Sequence, residues 1–172
     1  LHHAVFIPIL WEGEDKNLGA FRSKDELIAW YCQPPGVERQ PYRDRAFYAR
    51  ELAMLSRVVK PRTVVEFGTS LGIGTCLLRW LNPTARLVTV DVNEITFLPG
   101  DRRVKMGYLA KIQNVTCEYV TQPSWEYKAT SVDLCFIDAD HSYEAVAKDS
   151  EAAWCNKSTD HRWAIAWHDH ND

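Results

Sequence analysis

Four acids, Glu66, Asp91, Asp138 and Asp169, stand at or near the ends of short apolar runs, and a glycine-bearing turn follows the first of them. The turn reads Glu66-Phe67-Gly68-Thr69-Ser70-Leu71-Gly72-Ile73-Gly74. Glycine removes the Cβ where a backbone bends sharply and approaches a ligand, and a helix that follows offers free N–H groups at its start. The spacing does not fit the dinucleotide fingerprint G-x-G-x-x-G, because Ser70 and Ile73 fall where its second and third glycines belong. No G-K-[ST] follows either, which excludes a Walker phosphate loop. An acid two residues before the first glycine would repel a pyrophosphate and suits a ligand carrying a cationic amino group. Any one of these acids, taken alone, serves equally well as a helix cap.

Placing those acids together requires particular elements. Thr63–Phe67, Arg86–Asp91, Val115–Val120, Val132–Asp138 and Trp163–Trp167 are short apolar runs of the kind that form buried strands. Helical spacing predicts helices over Lys24–Cys32, Arg43–Val59, Leu71–Leu81, Asp101–Ile112 and Ser142–Trp154. Alternation of this kind predicts an α/β fold, a mostly parallel sheet with helices on both faces. Ligands of such sheets bind beyond the carboxyl ends of the strands, where all four acids would emerge.

The 172 residues suffice for one core, with residues 1–60 expected as an N-terminal helical segment and 61–172 as the α/β core. A net charge of −3 argues against nucleic acid as a partner. No apolar run reaches the roughly 18 residues of a membrane helix. Five widely spaced cysteines without a CxxC, Cys76, Cys117 and Cys135 among them inside apolar runs, predict free thiols in a reducing, cytoplasmic setting.

Glu66-x-Gly68-x-Ser70-x-Gly72 and Gly74, with Asp91 ending the next strand, resemble the first two motifs of class I S-adenosylmethionine-dependent methyltransferases. Asp133-Leu134-Cys135-Phe136-Ile137-Asp138-Ala139-Asp140-His141-Ser142-Tyr143 and Ala166-Trp167-His168-Asp169-His170 are similar to the fourth- and fifth-strand motifs of small-molecule O-methyltransferases, including the cephalosporin-hydroxylase-like group. The resemblance implies a Rossmann-like fold, S-adenosyl-L-methionine as cofactor, and methyl transfer to a small-molecule acceptor, most simply an oxygen. It places Glu66, Gly68, Thr69, Ser70, Gly72, Asp91, Ser124 and Asp138 around the cofactor, with Asp91 on its ribose. The family's glycine-aspartate-serine after the third strand becomes Thr121-Gln122-Pro123-Ser124, and its Pro-Gly-Gly before the fifth becomes Ser158 to Arg162.

In the catechol-like branch a divalent cation is held by an aspartate after the fourth strand and an Asp-Asn pair after the fifth. Asp138 and Asp169 match the aspartates, and His170 stands at the asparagine. Magnesium, manganese or calcium is the ion this implies, although imidazole suits zinc, iron or manganese better than the hardest ions. His141 falls at the branch's lysine base, making His141 and Asp138 the expected catalytic pair. Trp30, Trp125 and Trp167 are candidates to wall an aromatic acceptor.

Two other readings compete. His168-Asp169-His170-Asn171-Asp172 reads as H-x-H-x-D, a metallo-hydrolase beginning that lacks downstream histidines. A non-catalytic cofactor-binding module is the other, because the family's closing hairpin strands have no counterpart before Asp172. On that view the fifth strand lies at an open edge, covered by the N-terminal segment or by a second copy in a homodimer.

Overall fold

The computed structural model describes residues 6–7, 45–98 and 102–168. Its elements are β1 (Phe6–Ile7), α1 (Arg45–Val59), β2 (Thr63–Phe67), α2 (Ile73–Leu81), β3 (Arg86–Asp91), β4 (Ile95–Leu98), β5 (Arg102–Lys105), α3 (Tyr108–Ile112), β6 (Glu118–Thr121), β7 (Leu134–Ile137), α4 (Tyr143–Asn156) and β8 (Ala164–His168). The helix expected over Lys24–Cys32, with Trp30, lies outside these residues, as do Asp169 and His170.

The main sheet runs β1-β8-β7-β2-β3-β6, and every pairing in it is parallel. Alternate residues feed two separate cores. Val64, Leu87, Leu134 and Phe136 pack with Leu52 of α1 and Leu77 and Leu78 of α2. Val65, Phe67, Val88, Val90, Cys135 and Ile137 pack with Ala152 and Ala153 of α4. Both faces are therefore covered, which explains why these strands are continuously apolar rather than alternating. Fully burying a side chain such as Phe136 or Leu134 contributes about 1.5–3 kcal/mol.

At the amino end of the sheet, Asp133 is buried and accepts hydrogen bonds from the backbone N–H of Arg62 (2.8 Å) and Thr63 (3.2 Å). The Arg62 guanidinium bonds both Asp133 oxygens and reaches on to the exposed Asp160 at 2.8 Å. Burial would raise the Asp133 pKa, but the Arg62 side chain and the two amides outweigh it and hold the carboxyl below its ordinary value. This clamp ties the start of β2 to the start of β7.

One segment departs from expectation. Residues in the span Asp101–Ile112 form a strand and a short helix: β5 pairs antiparallel with β4, Ile95 opposite Lys105, and only Tyr108–Ile112 is helical. Ile95-Thr96-Phe97-Leu98 is rich in β-branched and aromatic residues, which favour strands, so the hairpin has its own local cause. Gly107 ends the extended stretch at φ +69°, and a Cβ there would lie 2.3 Å from the Tyr119 ring. The third main-sheet strand begins at Glu118 rather than Val115, because Val115 N–H still closes onto Ala110 of α3.

At the other edge, β1 pairs with β8 through Phe6↔Trp167 and Ile7↔His168. The N-terminal segment is thus one of the coverings expected for the last strand.

Candidate cofactor and catalytic site

Strand register alone assembles the site. Phe67 lies opposite both Val90 and Ile137, and Ile137 lies opposite Trp167. One residue further along each strand, Asp91, Gly68, Asp138 and His168 form a row across the carboxyl edge of the sheet.

Gly68 sits at φ +93°, and a Cβ there would fall 1.9 Å from the Asp138 carbonyl oxygen. Only glycine satisfies both constraints, and the approach lets Gly68 N–H reach Val90 O at 2.8 Å and Asp138 N–H reach Phe67 O at 2.7 Å. Beyond it the loop is tied to β3. Asp91 Oδ2 accepts from the N–H groups of Thr69 (3.0 Å) and Ser70 (2.9 Å), and its Oδ1 from Asn93 N–H (2.9 Å). Gly72, at φ +86°, starts α2 and packs against Gly107 and Ala110.

A cavity of about 350 Å³ opens over this row, lined by Gly68, Ser70, Asp91, Trp125, Asp138 and Ala139 among others. Its volume falls in the range of small-molecule sites, about 300–1,000 Å³. Of the residues expected around a cofactor, Gly68, Ser70, Asp91, Ser124 and Asp138 line the cavity. Thr69 and Gly72 lie beneath or behind the loop rather than in its wall, and Trp167 donates its indole N–H to Ser150 at 2.8 Å.

Glu66 is a correction to the expected contact with a cationic ligand group. Its side chain is 1% exposed and points into the core below the loop, where Oε2 accepts from Thr75 (2.5 Å) and Thr89 (2.6 Å). Strand alternation turns Glu66 to the α2 side of the sheet, with Thr89 beside it on β3. Burial, opposed by the two threonine hydrogen bonds and reinforced by Asp138 and Asp91, pushes its pKa up to about 8. Near neutral pH the edge therefore carries less negative charge than the acids' positions suggest.

Ser124 lines the cavity, and its hydroxyl donates to the buried Asp149 at 2.6 Å. Asp149 stands behind the cavity wall as a partner of Ser124 that sequence reasoning missed. Burial raises its pKa, the Ser124 hydrogen bond works the other way, and Asp140 raises it further. Its position on α4, seven residues after Ser142, is the only signal that was available.

Asp138, which lines the cavity, also contacts two histidines that stand outside its lining. His168 Nδ1 lies 3.0 Å from Asp138 Oδ1 and His141 Nε2 lies 3.6 Å from the same oxygen. His168 is buried at the end of β8, whereas His141 is half exposed just before α4. Ser142, not His141, caps that helix, accepting from Ala145 N–H at 3.3 Å. Burial works to raise the Asp138 pKa, but the contacts with His141 and His168 outweigh it and hold the carboxyl below its ordinary value. Potential ligand atoms of Asp138, His141 and His168 lie within 4.8 Å of one another.

A parallel sheet with a glycine loop on its central strand and an acid ending the neighbouring strand defines a Rossmann-like, class I cofactor-binding enzyme fold. The chain matches a methyltransferase family, described as "Methyltransferase domain", over residues 65–170, and it belongs to that family. No curated protein matches it in sequence. Among solved structures it is similar to an O-methyltransferase from Bacillus cereus in complex with SAH, at 21% identity and TM-score 0.50, covering 80% of this chain and 64% of that one. It is also similar to an SAH-bound methyltransferase from Podospora anserina, at 17% identity and TM-score 0.50, covering 77% of this chain and 55% of that one. The chain thus spans 55–64% of the length of these two structures.

Proposed function

We propose that the chain transfers a methyl group from S-adenosyl-L-methionine to an oxygen of a small-molecule acceptor. The observation that carries the reading is the row Asp91, Gly68, Asp138 beneath the 350 Å³ cavity. Gly68 lets the backbone approach the methionine part of the cofactor, and the Asp91 carboxylate accepts hydrogen bonds from the ribose hydroxyls. Trp125 supplies an aromatic wall beside them.

The acceptor oxygen attacks the methyl carbon in line, the carbon–sulfur electron pair passes to sulfur, and S-adenosylhomocysteine leaves neutral. The acceptor's hydroxyl proton goes to His141, whose ring is half exposed and held toward Asp138. Most of the acceleration comes from holding donor and acceptor in contact. A divalent cation bound at Asp138 would lower the hydroxyl's own pKa.

S-adenosylhomocysteine titrated into the protein should bind with saturable heat, and Asp91→Ala should weaken it at least tenfold, about 1.4 kcal/mol. Loss of the carboxylate releases two loop amides as well as the ribose contact. Labelled S-adenosylmethionine offered with phenolic and catecholic acceptors should then give labelled ether. Absence of any heat with either form of the cofactor would overturn the reading, and saturable binding without transfer would favour the non-catalytic module.

A second copy of the chain is proposed to add beyond the two-residue β1, which covers β8 at this side of the sheet, and light scattering that finds only monomer at tens of micromolar would remove that element.

A further inference from the structure

We infer that Asp138, His141 and His168 form a binding site for one borderline divalent metal ion of the zinc, iron, cobalt or manganese class. The site shares Asp138 with the set that the family resemblance implies, Asp138, Asp169 and His170, and takes its other two donors from His141 and His168. The inference rests on the proposed methyl transfer only where the ion would meet an acceptor oxygen; binding of the ion stands on the donor geometry alone.

Three observations converge on it. Asp138 and His141 lie three residues apart in the loop between β7 and α4, and parallel pairing of β7 with β8 brings His168 to them from a distant segment. Asp138 Oδ1 is already 3.0 Å from His168 Nδ1 and 3.6 Å from His141 Nε2. Ligand atoms about 2.0–2.2 Å from a metal stand roughly 3–3.5 Å from one another, so only small side-chain rotations separate this arrangement from coordination.

The rings also face suitably. His141 and His168 have centroids 5.9 Å apart and planes inclined at 49°, so the rings are close without stacking, and their ligand atoms lie within 4.8 Å of each other and of the Asp138 carboxylate. His168 is buried against Phe136, ring edge to face at 6.5 Å, which fixes its orientation. His141 can swing, being half exposed, and Asp138 opens to the cavity. Two imidazoles and one carboxylate fill three positions of an ion, and of the three donors Asp138 lines the cavity.

Donor chemistry selects the ion. Magnesium and calcium take oxygen ligands, whereas two nitrogens with one carboxylate are the set of zinc and of non-haem iron. With an ion bound, His141 is a ligand, so it receives the acceptor's proton only in the ion-free chain.

The test uses protein stripped with chelator and titrated with zinc by calorimetry and with cobalt by visible absorption. One equivalent should bind, with a cobalt d–d band reporting nitrogen donors, and millimolar magnesium should leave that band in place. Losing a residue that only orients a ligand already costs about 10–100-fold in metal affinity. His141→Ala, at a half-exposed position that leaves the fold intact by circular dichroism, should therefore weaken zinc at least tenfold, and Asp138→Asn should do the same.

Zinc affinity unchanged in His141→Ala would overturn the site, since surface histidines elsewhere would then account for binding. So would displacement of cobalt by magnesium, or the absence of a saturable equivalent. S-adenosylhomocysteine titrated into the unsubstituted chain is a separate readout: its failure would overturn the cofactor assignment and leave the metal result standing.

Discussion

Glu66 shows how burial changes what an acid can do. A carboxyl whose folded pKa is about 8 against an ordinary 4.5 holds its proton more tightly folded than unfolded. Its linkage therefore favours the folded state at low pH and costs stability as pH rises from 4.5 toward 8. Glu66→Gln keeps an oxygen for the Thr75 and Thr89 hydroxyls while removing the charge. Denaturant unfolding should show it matching the parent near pH 4 and exceeding it by on the order of 5 kcal/mol above pH 8. Glu66 was conspicuous in the sequence because it precedes the glycine turn. Its true partners were not, since Thr75 reaches it across the α2–sheet contact and Thr89 through the β2–β3 pairing. The thiols divide in the same way: burial pushes Cys76 up to about 12 and raises Cys135 too, while Cys155 is exposed. Under native conditions an alkylating reagent should modify Cys155 well before Cys76 or Cys135, as mass spectrometry of timed samples would show.

At the scale of elements, the glycine loop and the hairpin teach opposite lessons. Gly68 was legible because a turn so close to another segment that a Cβ would fall 1.9 Å from its carbonyl oxygen admits no other residue. Gly68→Ala adds both a left-handed alanine and a backbone clash, so thermal unfolding should report a loss on the order of 3 kcal/mol or no folded protein. The β4–β5 hairpin was hidden, because Val104, Met106, Leu109 and Ala110 also fit helical spacing, and only the Gly107 contact with Tyr119 decides between the two. Gly107→Ala should destabilise less, by about 1–2 kcal/mol in the same measurement, since the obstructing atoms belong to a side chain that can shift. The row at the strand ends was half visible: acids announced Asp91 and Asp138, but nothing in the chain said that His168 would share a carboxylate oxygen with His141. Parallel register did that.

Across the whole molecule, the sheet has two ends with separate duties. The carboxyl edge holds the cavity, the loop and the two histidines. The amino edge holds Arg62, Asp133 and Asp160, buried charge balanced by an arginine that is itself half exposed. Removing the guanidinium with Arg62→Ala leaves Asp133 with its two amides but no countercharge, and urea unfolding should show a lower midpoint than the parent. Its S-adenosylhomocysteine affinity should stay within about twofold of the parent at temperatures where both remain folded. Heat tolerance and ligand affinity are then adjustable independently. A chain of this design can drift or be engineered at its amino edge to suit a hotter or colder setting, with no matching change at the edge where the chemistry is proposed.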